Sequence, residues 1–172
     1  MDNQYSRRKS TRYKDYDYNL PGYYFVTICS DNMEYIFGNI KNGDIKLCDL
    51  GSIVRNCWES ISEHFHNIEL DYYQIMPNHI YGIIIINSVG NANFAFPTDR
   101  TKMLLSKAIQ QFKRQVTIEA KVKLKIKNKI WQKSFYDRVI RNEKELYNIR
   151  KYIKQNPLKW DFEKNTPENL DI

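Results

Sequence analysis

Leu70-Asp71-Tyr72-Tyr73-Gln74-Ile75-Met76-Pro77-Asn78-His79-Ile80-Tyr81-Gly82-Ile83-Ile84-Ile85-Ile86 is the stretch whose reading sets the fold. Leu70 to Ile75 and Ile80 to Ile86 are two apolar, β-branched segments. Between them Met76-Pro77-Asn78 carries a proline that cannot join a central ladder, so the spacing predicts two paired strands. Side chains alternate across a strand, which places His79 and Tyr81 on one face of the sheet and Ile80 on the other.

Upstream, Tyr23 to Cys29 follows a Pro21-Gly22 turn, is rich in aromatic and β-branched residues, and predicts a central strand. Phe37 to Leu47 predicts a hairpin around Lys41-Asn42-Gly43-Asp44, where Asn-Gly supplies the positive φ values of a tight turn. A helix is expected from about Leu50 to about His64, because Ile53, Val54, Cys57, Trp58 and Ile61 recur at helical spacing.

Downstream, Ser88 to Pro97 has no periodicity and reads as a loop, and Lys102 to Ala120 reads as a helix with Met103, Leu104, Ala108, Ile109, Phe112 and Val116 on one stripe. In Lys121 to Lys129, Val122, Leu124 and Ile126 alternate with lysines, which suits either a strand or an extended loop. Trp131 to Arg141 predicts a further strand, and Asn142 or Glu143 opens a helix that Pro157 is expected to stop. No internal repeat is present. This order predicts an α+β sandwich with a mostly antiparallel sheet and helices on one or both faces.

The 172 residues suit a single domain, with a basic arm over about 1–20 and a polar tail over about 161–172. Hydrophobic residues at 42% and charged residues at 27% are ordinary for a folded soluble chain. No apolar run reaches the roughly 20 residues of a spanning helix. Met1 to Thr11 is polar and basic rather than a secretory signal, so a cytoplasmic location is expected. Cys29, Cys48 and Cys57 show no CxxC spacing and read as buried apolar thiols.

A net charge of +7 and a pI near 9.2 favour a polyanionic partner. Thirteen Tyr, eight Phe and three Trp interleaved with basic residues add aromatic faces able to stack unpaired bases, beyond those that pack a core. Arg7, Arg8, Lys9 and Arg12 in the arm, Lys107, Lys113 and Arg114 on the long helix, and Lys133 and Arg138 near the last strand are the candidate nucleic-acid contacts.

Three histidines bound the search for chemistry. His79 with Tyr81 forms a two-residue polar claw, set against the plainer reading of a hairpin-end histidine exposed to solvent. His64 and His66 have the same spacing but lie at a helix end or turn, where residues two apart do not share a face, so they read as a decoy. Tyr152 and Asn156 lie four apart on the closing helix and present a phenol and an amide on one side.

The block from Trp131 to Glu145, then Tyr152-Ile153-Lys154-Gln155-Asn156-Pro157-Leu158-Lys159-Trp160, and Leu70-Asp71-Tyr72-Tyr73 leading into Met76-Pro77-Asn78-His79, resemble one family. It is the IS200-like transposases of the HUH superfamily with a single catalytic tyrosine, in particular the branch associated with repetitive extragenic palindromes (REP) in bacteria. The resemblance runs from Arg7 to Trp160, and Met-Pro-Asn-His with Tyr-xxx-Asn-Pro is specific as a pair. It implies a ferredoxin-like sheet whose histidine strand holds Mg²⁺ or Mn²⁺ against single-stranded or hairpin DNA in the bacterial nucleoid. It makes Tyr152 the nucleophile and Asn156 a metal ligand beside His79 and the residue at position 81, in a monomer or homodimer. In-line attack by the phenol would leave a 5′-phosphotyrosine and a free 3′-hydroxyl, conserving bond energy for strand transfer.

The family pattern calls for His, a hydrophobic residue, then His, whereas this chain reads His79-Ile80-Tyr81. A neutral phenol with a pKa near 10 is a poorer ligand than imidazole, so weak or absent metal binding is one expectation. Gln155 is a substitute ligand. The alternatives are a slow transposase-type nuclease, a DNA-hairpin binder that has lost cleavage, and an RNA-binding protein that shares the fold.

Overall fold

The computed structural model describes residues 21–88 and 103–163, with side chains to 160. Within them lie β1 (Gly22–Cys29), a 3₁₀ turn (Asp31–Met33), β2 (Gly38–Lys41), β3 (Asp44–Leu47), α1 (Asp49–Glu59), α2 (Ile61–His64), β4 (Ile68–Ile75), β5 (His79–Ile86), α3 (Leu104–Leu124), β6 (Tyr136–Ile140) and α4 (Glu143–Glu163). The four longer-range strands form one antiparallel sheet in the order β4-β5-β1-β6. Two strand–helix–strand crossovers, β1-α1-β4 and β5-α3-β6, interleave in it, which is the ferredoxin-like arrangement that the family resemblance implies. The predicted hairpin pairs as β2 and β3 in its own small sheet, with Asn42 at φ 55° and Gly43 at φ 77° in its turn.

Strand alternation gives the sheet two unlike faces. Tyr24, Val26, Ile28, Ile80, Ile84 and Ile86 pack with Trp58 of α1 and Phe112 and Val116 of α3 in the larger core. Gly82 makes room there, since a Cβ at that position would stand 2.3 Å from the Trp58 ring. On the other face Phe25, Tyr81 and Ile83 pack beneath Leu146, Ile149 and Ile153 of α4. The long closing helix thus covers one side of the sheet, while α1 and α3 cover the other.

Several sequence expectations shift in detail. The helix expected to run to about His64 breaks at Ser60 into α1 and α2. Lys121 to Leu124 continue α3 instead of forming a strand or loop, and the helix ends only where Lys125 turns left-handed at φ 58° and its N–H reaches the Ala120 carbonyl. The last strand is confined to Tyr136–Ile140, with Trp131 upstream making an isolated bridge to Ser30. Pro157 does not stop α4, which passes through it to Glu163 with Pro157 buried. A proline removes one intrahelical hydrogen bond, and packing of the same turn through Ile153 and Asn156 holds the helix together here. Cys29 and Cys57 are buried as expected, but Cys48 is exposed at the start of α1, its thiol donating to the Ile36 carbonyl at 3.1 Å. The basic arm with Arg7, Arg8, Lys9 and Arg12, most of the Ser88–Pro97 loop and the tail beyond 163 lie outside the described residues.

Candidate functional site

The Met76-Pro77-Asn78-His79 turn is built to hold an imidazole. Met76 N–H donates to the His79 carbonyl at 2.8 Å to close the hairpin, and the Pro77 carbonyl accepts from Phe37 N–H at 3.0 Å. Asn78 is buried, its Nδ2 donating to the Met33 carbonyl at 3.2 Å, so its Oδ1 faces His79 and takes the Nδ1 proton at 2.7 Å. That bond leaves Nε2 of the neutral ring with its lone pair, and Nε2 is buried without a hydrogen-bond partner in the described structure. Burial of the whole ring pushes its pKa down to about 3. The solvent-exposed alternative for His79 is therefore overturned: the residue is 0% exposed.

Tyr81, two residues along β5, points to the same face, as the alternation predicts. Its ring lies 4.4 Å from that of His79 and stacks on Phe25 at 5.6 Å. From above, α4 brings Tyr152, Asn156 and Trp160 down onto this pair at spacings of four residues. The Tyr81 and Tyr152 hydroxyls are 2.9 Å apart, and the Trp160 ring is 5.9 Å from His79. Desolvation first, then the adjacent Tyr152 hydroxyl, push the Tyr81 phenol far above its ordinary value, with the Asn156 side chain as hydrogen-bond partner pulling the other way. Two phenols sharing a hydrogen bond beside an imidazole and an amide make a polar cluster supplied by one chain.

Whether this cluster suits a divalent cation is decided by its donors. No three His, Cys, Asp or Glu side chains gather into a metal-holding group among the described residues. The orphaned Nε2 of His79 has the form of a ligand, with its other ring nitrogen oriented by Asn78. The remaining donors, the Tyr81 phenol and the Asn156 amide, are neutral, and no carboxylate joins them. With a proton-bearing phenol where the family pattern has a second imidazole, only one ring nitrogen and one amide oxygen remain as ready donors, so the set does not fit Mg²⁺ or Mn²⁺.

The other expected contacts are dispersed. Lys107, Arg114 and Lys133 are exposed. Lys113 is half-buried, its ammonium donating to the carbonyls of Gln132 at 3.0 Å and Ser134 at 2.7 Å, and desolvation brings it down to about 8. It pins the segment before β6 to α3. Arg138 forms an ion pair with Glu145 of α4. Gln155 is exposed rather than turned into the cluster, and His64 and His66 are exposed at α2 and the turn after it. Trp160 is the member of the cluster that sequence reasoning passed over. Its spacing of four from Asn156 was the available signal.

No family model matches the chain. An uncharacterized protein of Haemophilus influenzae is 39% identical over 163 residues, covering 90% of this chain and 90% of that one. Among solved structures, a REP-associated tyrosine transposase bound to a REP hairpin superposes with a TM-score of 0.58 and 21% identity, over 86% of this chain and 73% of that one. At that identity the likeness is one of fold.

Proposed function

We propose that this chain, which belongs to the same family as the Haemophilus influenzae protein and has the fold of a REP-associated tyrosine transposase, is a DNA-hairpin-binding protein on a transposase scaffold whose strand-cleaving centre is held shut. The observation that carries the reading is the Tyr81–Tyr152 hydrogen bond at 2.9 Å, made by a residue that stands where the family pattern has its second histidine. An in-line attack on a phosphodiester needs a phenol deprotonated or close to it. Here the hydroxyl of Tyr152 is paired with the Tyr81 phenol, which holds its own proton more tightly than usual and is no base for it. His79, desolvated, has little basicity to lend. Neither His79 nor the Tyr81 phenol is a base able to take the Tyr152 proton, whereas the basic chain, with exposed Lys107, Arg114 and Lys133 and the arm before Gly22, retains the means to hold phosphates. In this reading the chain works as one domain, the arm included.

The second reading, metal-dependent cleavage and strand transfer through a 5′-phosphotyrosine at Tyr152, is favoured by one observation, the unpartnered Nε2 of His79. A library of single-stranded DNA hairpins separates the two. The shut-centre reading expects gel shifts that persist in EDTA and no covalent adduct on denaturing gels with Mn²⁺ or Mg²⁺. A Tyr152-dependent adduct, absent from Tyr152→Phe, establishes cleavage and overturns the shut centre. Preference for folded RNA over the DNA hairpin at equal salt overturns the DNA reading itself.

A further inference from the structure

The outward face of α4 belongs to none of the contacts described so far. Between Leu146 and Trp160 the helix has no Asp or Glu, while Arg150, Lys151, Lys154 and Lys159 are cationic. Arg150 is engaged, its guanidinium donating to Asp71 of β4 at 2.6 and 3.0 Å. The others are not: Lys144, Lys151 and Lys154 are exposed and form no ion pair among the described residues. Together with Tyr147 and Leu158 they recur at intervals of three and four, so they share one face, opposite the buried Leu146, Ile149 and Ile153. Tyr147 is 66% exposed in the middle of that row. Lys159, next to Leu158, is turned from that row towards the cluster, with Nζ 5.9 Å from the centroid of the Tyr152 ring.

A solvated helix face ordinarily balances its lysines with carboxylates a turn away, as α3 does where Lys123 pairs with Glu119. Beyond its first turn, where Glu143 and Glu145 lie, the α4 face omits that balance and sets a large exposed aromatic ring among lysines without carboxylates a turn away, the combination that tracks a phosphate backbone and stacks an unpaired base. At 1.5 Å per residue the row from Lys144 to Leu158 is about 21 Å long.

We propose that this face is a binding track for single-stranded DNA, with phosphates on Lys144, Lys151 and Lys154, a base stacked on Tyr147, and Lys159 steering one phosphate towards Tyr152. The proposal rests on the DNA-binding reading and adds to it a surface.

The test uses the full chain and a DNA hairpin with a single-stranded flank, titrated against salt. The triple variant Lys144→Gln, Lys151→Gln, Lys154→Gln should lose about 0.7 of salt slope per contact, roughly 2 in all. Tyr147→Ala should bind roughly 5- to 150-fold more weakly at one salt concentration. A charge-matched control, Lys41→Gln, Lys46→Gln, Arg55→Gln, should keep the wild-type slope. Equal losses in the two triples would mean net charge alone, and an α4 triple with wild-type affinity and slope would mean no track; either overturns the proposal while leaving DNA binding intact. Loss on the same hairpin made of RNA but not on DNA overturns the DNA occupant. A wild-type chain that binds no hairpin brings down the DNA-binding reading and the track together, an outcome distinct from all of these.

Discussion

The two faces of the central sheet use the same strands to opposite ends. On the α1 and α3 side every inward residue of β5 is apolar or absent, as Ile80, Gly82, Ile84 and Ile86, and Trp58 fills the space that Gly82 leaves. On the α4 side the same strand turns His79 and Tyr81 inward, and the helix answers with Tyr152 and Asn156. One face is closed by shape and the other by hydrogen bonds. An apolar face tolerates no gap, whereas a polar one depends on every group finding its partner, and His79 Nε2 has none among the described residues.

The contrast breaks first at Trp58, which is fully buried. Trp58→Ala should cost about 3–5 kcal/mol in urea denaturation by opening a cavity. Acid tests the polar face next. His79 has its native pKa lowered from 6.5 to about 3, so between those values the unfolded chain binds a proton that the native ring refuses. Stability from this group is whole above pH 6.5 and is lost as pH falls towards 3, at roughly 1.4 kcal/mol per unit of that window. Thermal melts from pH 7 down to pH 4 should show the decline, and His79→Asn should flatten it.

Smaller changes sharpen the comparison. Gly82→Ala pushes a methyl group to within 2.3 Å of the Trp58 ring, and overpacking of this kind should cost about 1–3 kcal/mol. Tyr81→Phe, across the sheet, leaves the ring stacking and removes only the hydroxyl bonded to Tyr152. Its effect on stability should be about 1 kcal/mol, with hairpin binding unchanged in a filter assay. If Gly82→Ala proves the milder of the two, the division into a shape-closed and a bond-closed face is wrong.

Much of this was legible in the sequence, and the boundary is physical. Period-two alternation placed His79 and Tyr81 together, helical spacing placed Tyr152 with Asn156, and Asn42-Gly43 marked its turn, because each is a local rule of backbone geometry. What local rules do not carry is the meeting of the two pairs. The Tyr81–Tyr152 bond joins positions 71 apart in the chain, and only packing of α4 on β1 and β5 brings them together. The family resemblance anticipated the proximity but not its chemistry, since a phenol in place of imidazole makes a different contact. The same limit explains Pro157 and Lys121 to Leu124, where tertiary packing or an available left-handed cap overrides what propensity and charge alternation suggest. It also explains Lys113, whose carbonyl partners lie on the segment before β6.

β1, made first, sits between β5 and β6 and pairs Tyr23 with Ile85 on one side and Ile140 on the other. A chain emerging from the ribosome N-terminus first can therefore complete β4, β5 and the Trp58 core before β6 and α4 exist. Until then the strand edge of β1 and the ring of Tyr81 stand uncovered, and their cover, β6 and α4, is synthesised after the other described elements. Nascent chains arrested before Tyr136 should accordingly be the stage at which this protein most needs a chaperone.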